Sequence, residues 1–352
     1  MLLSLPIELL EHILNECFIY GRKSLRSTCV LLCRLATPLV FETMVVDVYL
    51  SPTKSLGRLK AIVSGKGFVQ YVKHLRLFTL KLPEGNPKGP VDRILLNKRR
   101  ARKAKKLEKR LVTAVSFMTS LQTVKYLGYD ETFLQHVALW DQISYLPCMS
   151  MLSIYGSYRE STSINSSFPY LTKLSIAGPS YFKFASILIS NSPNLSSLGI
   201  YDHGPSSTSS PSTSNIFSQY PKGTYSSITD LSLCGNLSVC RPDVPILIPH
   251  LSQLRSLELS VRFVASEFWA SLREEQIFVR RLSLSLSKYE PALFDYLCSY
   301  SGLHSIFLRI RTGFGEVARK GMERVHERQG ETLACEPPGL QFAPHNIENY
   351  HR

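Results

Sequence analysis

Nine stretches of this chain carry one apolar skeleton: a large apolar residue, another three positions on, and a third two positions after that. They are Val72/Leu75/Leu77, Leu121/Val124/Tyr126, Met149/Leu152/Ile154, Leu171/Leu174/Ile176, Leu195/Leu198/Ile200, Ile228/Leu231/Leu233, Leu254/Leu257/Leu259, Val279/Leu282/Leu284 and Leu303/Ile306/Leu308. In an extended strand alternate side chains point to opposite faces, so the second and third residues of each skeleton share a face. Three apolar residues cannot form a core alone. Copies stacked side by side can, and this constraint dominates what the chain is able to fold into.

The central residues fall at 75, 124, 152, 174, 198, 231, 257, 282 and 306, giving steps of 49, 28, 22, 24, 33, 26, 25 and 24. Six of the eight lie within the period of roughly 20–29 residues typical of leucine-rich repeats, which this array resembles. The resemblance implies an α/β fold: an irregular solenoid, curled into a horseshoe with parallel strands on the concave side. Helical patterns between skeletons agree with it, at Glu131–Tyr145, Tyr181–Ile189, Glu267–Gln276 and Glu290–Cys298. A charged amphipathic helix, Val317–Gln329, is expected to close the array, with a tail behind it. An Asn after the strand normally satisfies turn amides in such repeats. Here only Asn236 is so placed, so other groups must close most turns.

The two long steps hold compositionally odd inserts. The first, 83–112, contains nine basic residues and one Glu between Asn97 and Arg110, more than half of the chain's formal charge of +14. Its Lys98, Arg99, Arg100, Arg102, Lys103, Lys105 and Lys106 read as a solvated helix face, a nuclear-import run, or a patch for nucleic acid or an acidic partner. No aromatic interleaving of the kind nucleic-acid binders use accompanies them. The second insert, 204–220, is Ser/Thr/Pro-rich, and its stretch GPSSTSSPSTSN (204–215) has too little apolar content to offset ordering entropy. A disordered loop is expected there, with Ser210 before Pro211 a candidate phosphorylation site.

The N-terminus reads as helices. Leu5–Phe18 has Pro6 in its first turn and Glu8 and Glu11 near its positive end. Its apolar residues make two stripes, Ile7/Leu10/Leu14/Cys17 and Leu9/Ile13. Gly21 and the Arg22–Lys23 pair are expected to end it, a second helix to span Ser24–Ala36, Pro38 to end or kink that one, and Phe41–Val48 to be extended. LPIELLEHIL followed by LRSTCVLLCRLATPLVFETMVV resembles an F-box, through Leu5, Pro6, Glu8, Leu9, Leu10, Ile13, Leu14 and the Cys33–Arg34 pair. Leu35 stands where many members carry Trp.

The resemblance implies a substrate-recognition subunit of an SKP–cullin–F-box ubiquitin ligase, non-catalytic, with an SKP-type adaptor and a cullin scaffold as partners. Leu5, Pro6, Ile7, Leu9, Leu10, Ile13 and Leu14 would meet the adaptor. A protein target would lie on the concave face, where Arg76, Lys125, Tyr155, Lys173, Tyr201, Glu258, Arg281, Phe307 and Arg309 point outward among small serines. The alternatives are a helical cap for the solenoid and a repeat scaffold whose basic run binds RNA or an acidic nuclear partner. The expected organisation is 1–46 F-box-like, 47–312 repeats and 313–352 closing helix and tail.

Little else points to chemistry. The nine histidines and eight cysteines include no HExxH, no CxxC and no zinc-type cluster, and there is no G-x-S-x-G elbow. Gly65–Lys66 fails as a phosphate-binding loop because Lys60 stands where Gly is needed and Gly67 where Ser or Thr is needed. No enzyme activity, cofactor or metal is expected. Scattered cysteines read as buried thiols of a reducing compartment, hence cytoplasm or nucleus. The absence of long apolar runs, and of a basic segment before the N-terminal apolar residues, argues against a membrane helix or secretory signal.

Overall fold

A computed structural model describes residues 4–47, 52–64, 67–78, 90–128, 137–156, 166–178, 182–202, 213–220, 223–286, 290–310 and 316–330. The chain opens with three helices, α1 (Ile7–Glu16), α2 (Ile19–Arg26) and α3 (Val30–Phe41), where the sequence predicted two. Long-range side-chain bonds explain the difference. Arg22, expected to break a helix, lies inside α2 and reaches back to α1, donating from Nε to the Leu14 carbonyl (2.9 Å) and from Nη2 to that of Asn15 (2.7 Å). Those carbonyls are orphaned at the end of α1, and the guanidinium satisfies both. The Ser27 and Thr28 hydroxyls do the same for α2, each donating over 2.7 Å to the carbonyls of Ser24 and Leu25. Pro38 stays inside α3 instead of ending it.

From α3 the chain enters β1 (Thr43–Val46), then α4 (Pro52–Val63), β2 (His74–Phe78), α5 (Pro90–Ser116), β3 (Thr123–Leu127), α6 (Val137–Ser144), β4 (Met151–Tyr155) and β5 (Lys173–Ala177). There follow α7 (Phe182–Ser190), β6 (Ser197–Asp202), β7 (Asp230–Gly235), β8 (Ser238–Val239), α8 (Val244–Leu247), β9 (Ser256–Ser260) and β10 (Phe263–Val264). The last elements are α9 (Ser266–Glu274), β11 (Arg281–Leu286), α10 (Pro291–Cys298), β12 (Ser305–Ile310) and α11 (Glu316–Gln329). Ten strands form one parallel sheet in order of sequence, while β8 and β10 pair separately. All nine skeletons lie in this sheet; β1, with Met44 and Val46 buried, is a tenth strand that joins the opening helices to it.

Register is unbroken from end to end. Val45, Arg76, Lys125, Ser153, Ser175, Gly199, Ser232, Glu258, Ser283 and Phe307 stand side by side across all ten strands. Skeleton residues point the other way into a continuous core beneath the helices, which holds Trp140 and Trp269 with no exposed surface. Hydroxyls lace the strand entries: Thr172 donates to the Ser150 carbonyl (3.1 Å) and Ser196 to that of Thr172 (3.2 Å). At the strand exits main-chain amides take the place of the missing asparagines. Gly128, Gly156 and Gly178 each donate to a carbonyl of the next strand, at 2.9–3.0 Å. Such bonds leave few buried backbone groups unpaired.

Two inserts differ from expectation. The basic run is no projecting insertion: α5 occupies the helix position between β2 and β3, with Leu107, Leu111, Ala114 and Val115 buried. Residues 83–89 of that insert lie outside the described residues. In the Ser/Pro-rich stretch, 204–212 (Ser210 included) also lie outside, but Thr213–Phe217 form a short helical turn. Thr213 is fully buried and donates to Asp243 Oδ2 (3.2 Å), and Phe217 stacks on His250 with ring centres 4.3 Å apart. The expected disordered loop is thus corrected for residues 213–215, which are anchored in the fold. At the other end Gln329, buried on α11, accepts from the Leu303 amide (3.0 Å) and donates to the carbonyls of Leu297 (2.8 Å) and Tyr300 (3.0 Å). Residues 331–352 lie outside the described residues. No described helix is long and apolar enough to cross a membrane.

Candidate protein-docking surfaces

Two surfaces collect the residues singled out in the sequence. The first belongs to α1. Of its first stripe, Leu10 and Leu14 are 1% exposed and pack with Leu32 and Ala36 in a small core distinct from that of the sheet, while Ile7 stays outside it. Leu10 and Leu14 are thus corrected from docking residues to structural ones. The remaining members of the set stay in solvent, with Leu5, Pro6 and Ile13 exposed and Ile7 and Leu9 about half exposed, at 47% and 49%. Phe18, Tyr20 and Val30, which carried no role in the sequence, are also exposed on the three-helix unit, at 88%, 79% and 71%. The signal for the first two was an apolar cluster, Phe18–Ile19–Tyr20, at a helix junction with no periodic partner. Isolated exposed apolar residues are ordinary; their number on one three-helix unit makes it a candidate docking surface.

The second surface is the sheet face turned away from the helices. Small residues floor it because side chains on adjacent parallel strands stand only about 4.8 Å apart. A groove of about 390 Å³ crosses β4 to β9, lined among others by Met151, Tyr155, Lys173, Tyr201, Asp230 and Glu258. The Tyr201 ring lies over Gly199, where an added Cβ would come within 2.9 Å of it; this position has no room for a side chain while the ring is there. Burial pushes the Tyr201 hydroxyl above its ordinary pKa despite a hydrogen bond with Ser232. Ser232 in turn donates to Glu258 Oε2 at 2.7 Å. Burial also pushes the neighbouring Cys234 thiol up to about 11, so it stays protonated and is a poor nucleophile.

The groove gathers Tyr155, Lys173, Tyr201 and Glu258 from the expected target-binding set. Lys125 joins indirectly, its Nζ lying 5.1 Å from the Tyr155 ring centre, and Arg281 by pairing with Asp230 (2.9 Å). Arg76, Phe307 and Arg309 are exposed near the ends of the sheet and do not line it. Met151, Asp230 and Ser232, outside the expected set, line it too.

Of the basic run, Arg102, Lys103, Lys105 and Lys106 are exposed on α5; the side chains of Lys98, Arg99 and Arg100 lie outside the described set. Among the described residues no cluster of His, Cys, Asp or Glu is arranged to hold a metal ion. No protein-family model matches the chain, and no curated protein is similar enough to match it.

Proposed function

We propose that the chain is the substrate-recognition subunit of an SKP–cullin–F-box ubiquitin ligase, docking through its opening helices and holding a protein target on the open face of its leucine-rich-repeat sheet. The supporting observation is the split of α1, whose Leu10 and Leu14 fill a small core while Leu5, Ile7, Leu9 and Ile13 stay in solvent. A pure cap would turn both stripes inward, because apolar area left in water forgoes about 25 cal/mol per Å². Catalysis in such a complex is by proximity. The chain forms and breaks no bond itself; it holds a lysine of the target near a ubiquitin-charged conjugating enzyme, raising its effective concentration.

Pull-down of the full chain from cells tests the reading. Adaptor and cullin co-purify if it holds; their absence under conditions that retain them on a known F-box protein would reject it. A second reading, a scaffold whose basic helix binds RNA or an acidic nuclear partner, draws on the exposed Arg102, Lys103, Lys105, Lys106 and Lys109 of α5. Nuclease treatment separates the two: captured partners that vanish with it favour the scaffold.

A further inference from the structure

The groove across β4–β9 is electrically lopsided, and its two carboxylates are not equivalent. Asp230 is committed, with Oδ1 accepting from Arg281 (2.9 Å) and Oδ2 from the Thr229 hydroxyl (2.7 Å). Glu258 receives only the Ser232 hydroxyl, on Oε2, and no cation among the described residues pairs with it. The Tyr201–Ser232–Glu258 chain holds that carboxylate in place on the groove wall, half-buried. On the opposite side Lys173 is exposed and forms no ion pair among the described residues. The groove thus presents one fixed, uncompensated negative charge and one uncompensated positive charge, with tyrosines and small residues between them.

Their separation follows from the sheet. Lys173 stands on β5 level with Ser256 of β9, three strand intervals away, and Glu258 lies two residues beyond Ser256; at ~4.8 Å per interval and ~3.3 Å per residue the two positions are about 16 Å apart on a diagonal. An extended chain rises about 3.3 Å per residue, so four residues span ~13 Å and project from the same face, and the remaining ~3 Å is within reach of the long Lys173 and Glu258 side chains. A volume near 390 Å³ suits a segment of this short length.

We infer that the groove binds an extended peptide running across the strands, with a basic side chain on Glu258 and an acidic side chain four residues away on Lys173. The stem of the basic residue lies along the Tyr201 ring, which attracts its cationic head as the carboxylate does. The inference deepens the proposed function, resting on the open face as the target-holding surface, and it names the class of segment recognised. Neutral floor residues supply little selectivity. The charge pair sets register, as complementary charges do in other interfaces.

Selection of a random twelve-residue peptide library on the full-length chain tests this. The enriched peptides are expected to share a basic and an acidic residue four apart, in either order. Glu258→Gln, which keeps an acceptor for Ser232, should weaken those peptides about tenfold, as should Lys173→Gln, while Arg273→Gln, exposed on α9 away from the open face, leaves them unchanged. Glu258→Lys should move the consensus to an acidic residue at the formerly basic position. Enriched peptides without the basic residue, peptides indifferent to Glu258→Gln, or no enrichment at all would each overturn the inference. Adaptor capture by α1, measured on the same variants, reports separately on the proposed function and is unaffected by any of these substitutions.

Discussion

The three opening helices and the sheet solve the same problem with different completeness. Each sheet strand hides its skeleton residues under a helical layer and against the next copy, so Leu152, Ile154, Leu174 and Ile176 are at most 2% exposed. The helical unit has no next copy. Its own buried core is Leu10, Leu14, Leu32 and Ala36, and the second stripe of α1 is left over. A stacked repeat saturates its apolar surface by repetition, whereas a short unit beside it saturates its surface only with a partner. The same contrast runs through the polar groups. In the sheet they form ladders, and in the helices single side chains such as Arg22 close individual ends.

The sharpest way to break this contrast is to damage the sheet. Trp269 is completely buried on α9, between Phe268 and Tyr296. Trp269→Ala should cost about 3–5 kcal/mol, read by urea denaturation. Leu14→Ala should cost about 2–5 kcal/mol, but locally. Hydrogen exchange should then quicken in α1–α3 while amides of β4–β9 stay protected, since their core is separate. Equal loss of protection in both regions would show that they unfold as one unit.

A milder perturbation comes from alkali. The Tyr296 hydroxyl donates to the Ile277 carbonyl (2.8 Å) and accepts from the Val279 amide (3.2 Å), and burial pushes its pKa from 10.0 up to about 12. Burial raises Tyr300, which donates to the Val279 carbonyl, as well. A raised folded-state pKa means that the folded state holds the proton more tightly. This contribution is therefore complete below pH 10 and is lost as pH climbs through about 12. Melting temperature should fall across that window, starting from the C-terminal repeats, and Tyr296→Phe should flatten the fall. A decline of unchanged steepness in the variant would assign it elsewhere.

What the sequence made legible follows from range. The strands were readable because a period of two and a period near 25 are local, and all nine skeletons became strands. Helix ends were not, because α1 ends where Arg22 reaches back to it, and a proximity that only folding creates is invisible in a linear reading. Charge hid the docking of α5: Leu107 and Leu111, four apart and both buried, sit within a run of lysines and arginines. Thr213 looked like loop because its partner Asp243 lies 30 residues on. At the candidate site both stripes of α1 were visible, but periodicity alone could not say which turns inward. The groove charges were likewise visible singly, while the commitment of Asp230 to Arg281, across β9, required the sheet register.

The smallest expected effect on stability carries the largest expected effect on function. Leu9 and Ile13 lie on the exposed stripe of α1, so Leu9→Ala with Ile13→Ala should change unfolding free energy by no more than about 1 kcal/mol. The central claim is most directly tested by titrating a purified SKP-type adaptor against the full chain and against this double variant. The account predicts saturable binding by the full chain and affinity at least about thirtyfold weaker in the variant, with its melting temperature preserved. Full adaptor affinity in the variant, or no binding by the unaltered chain, would contradict it.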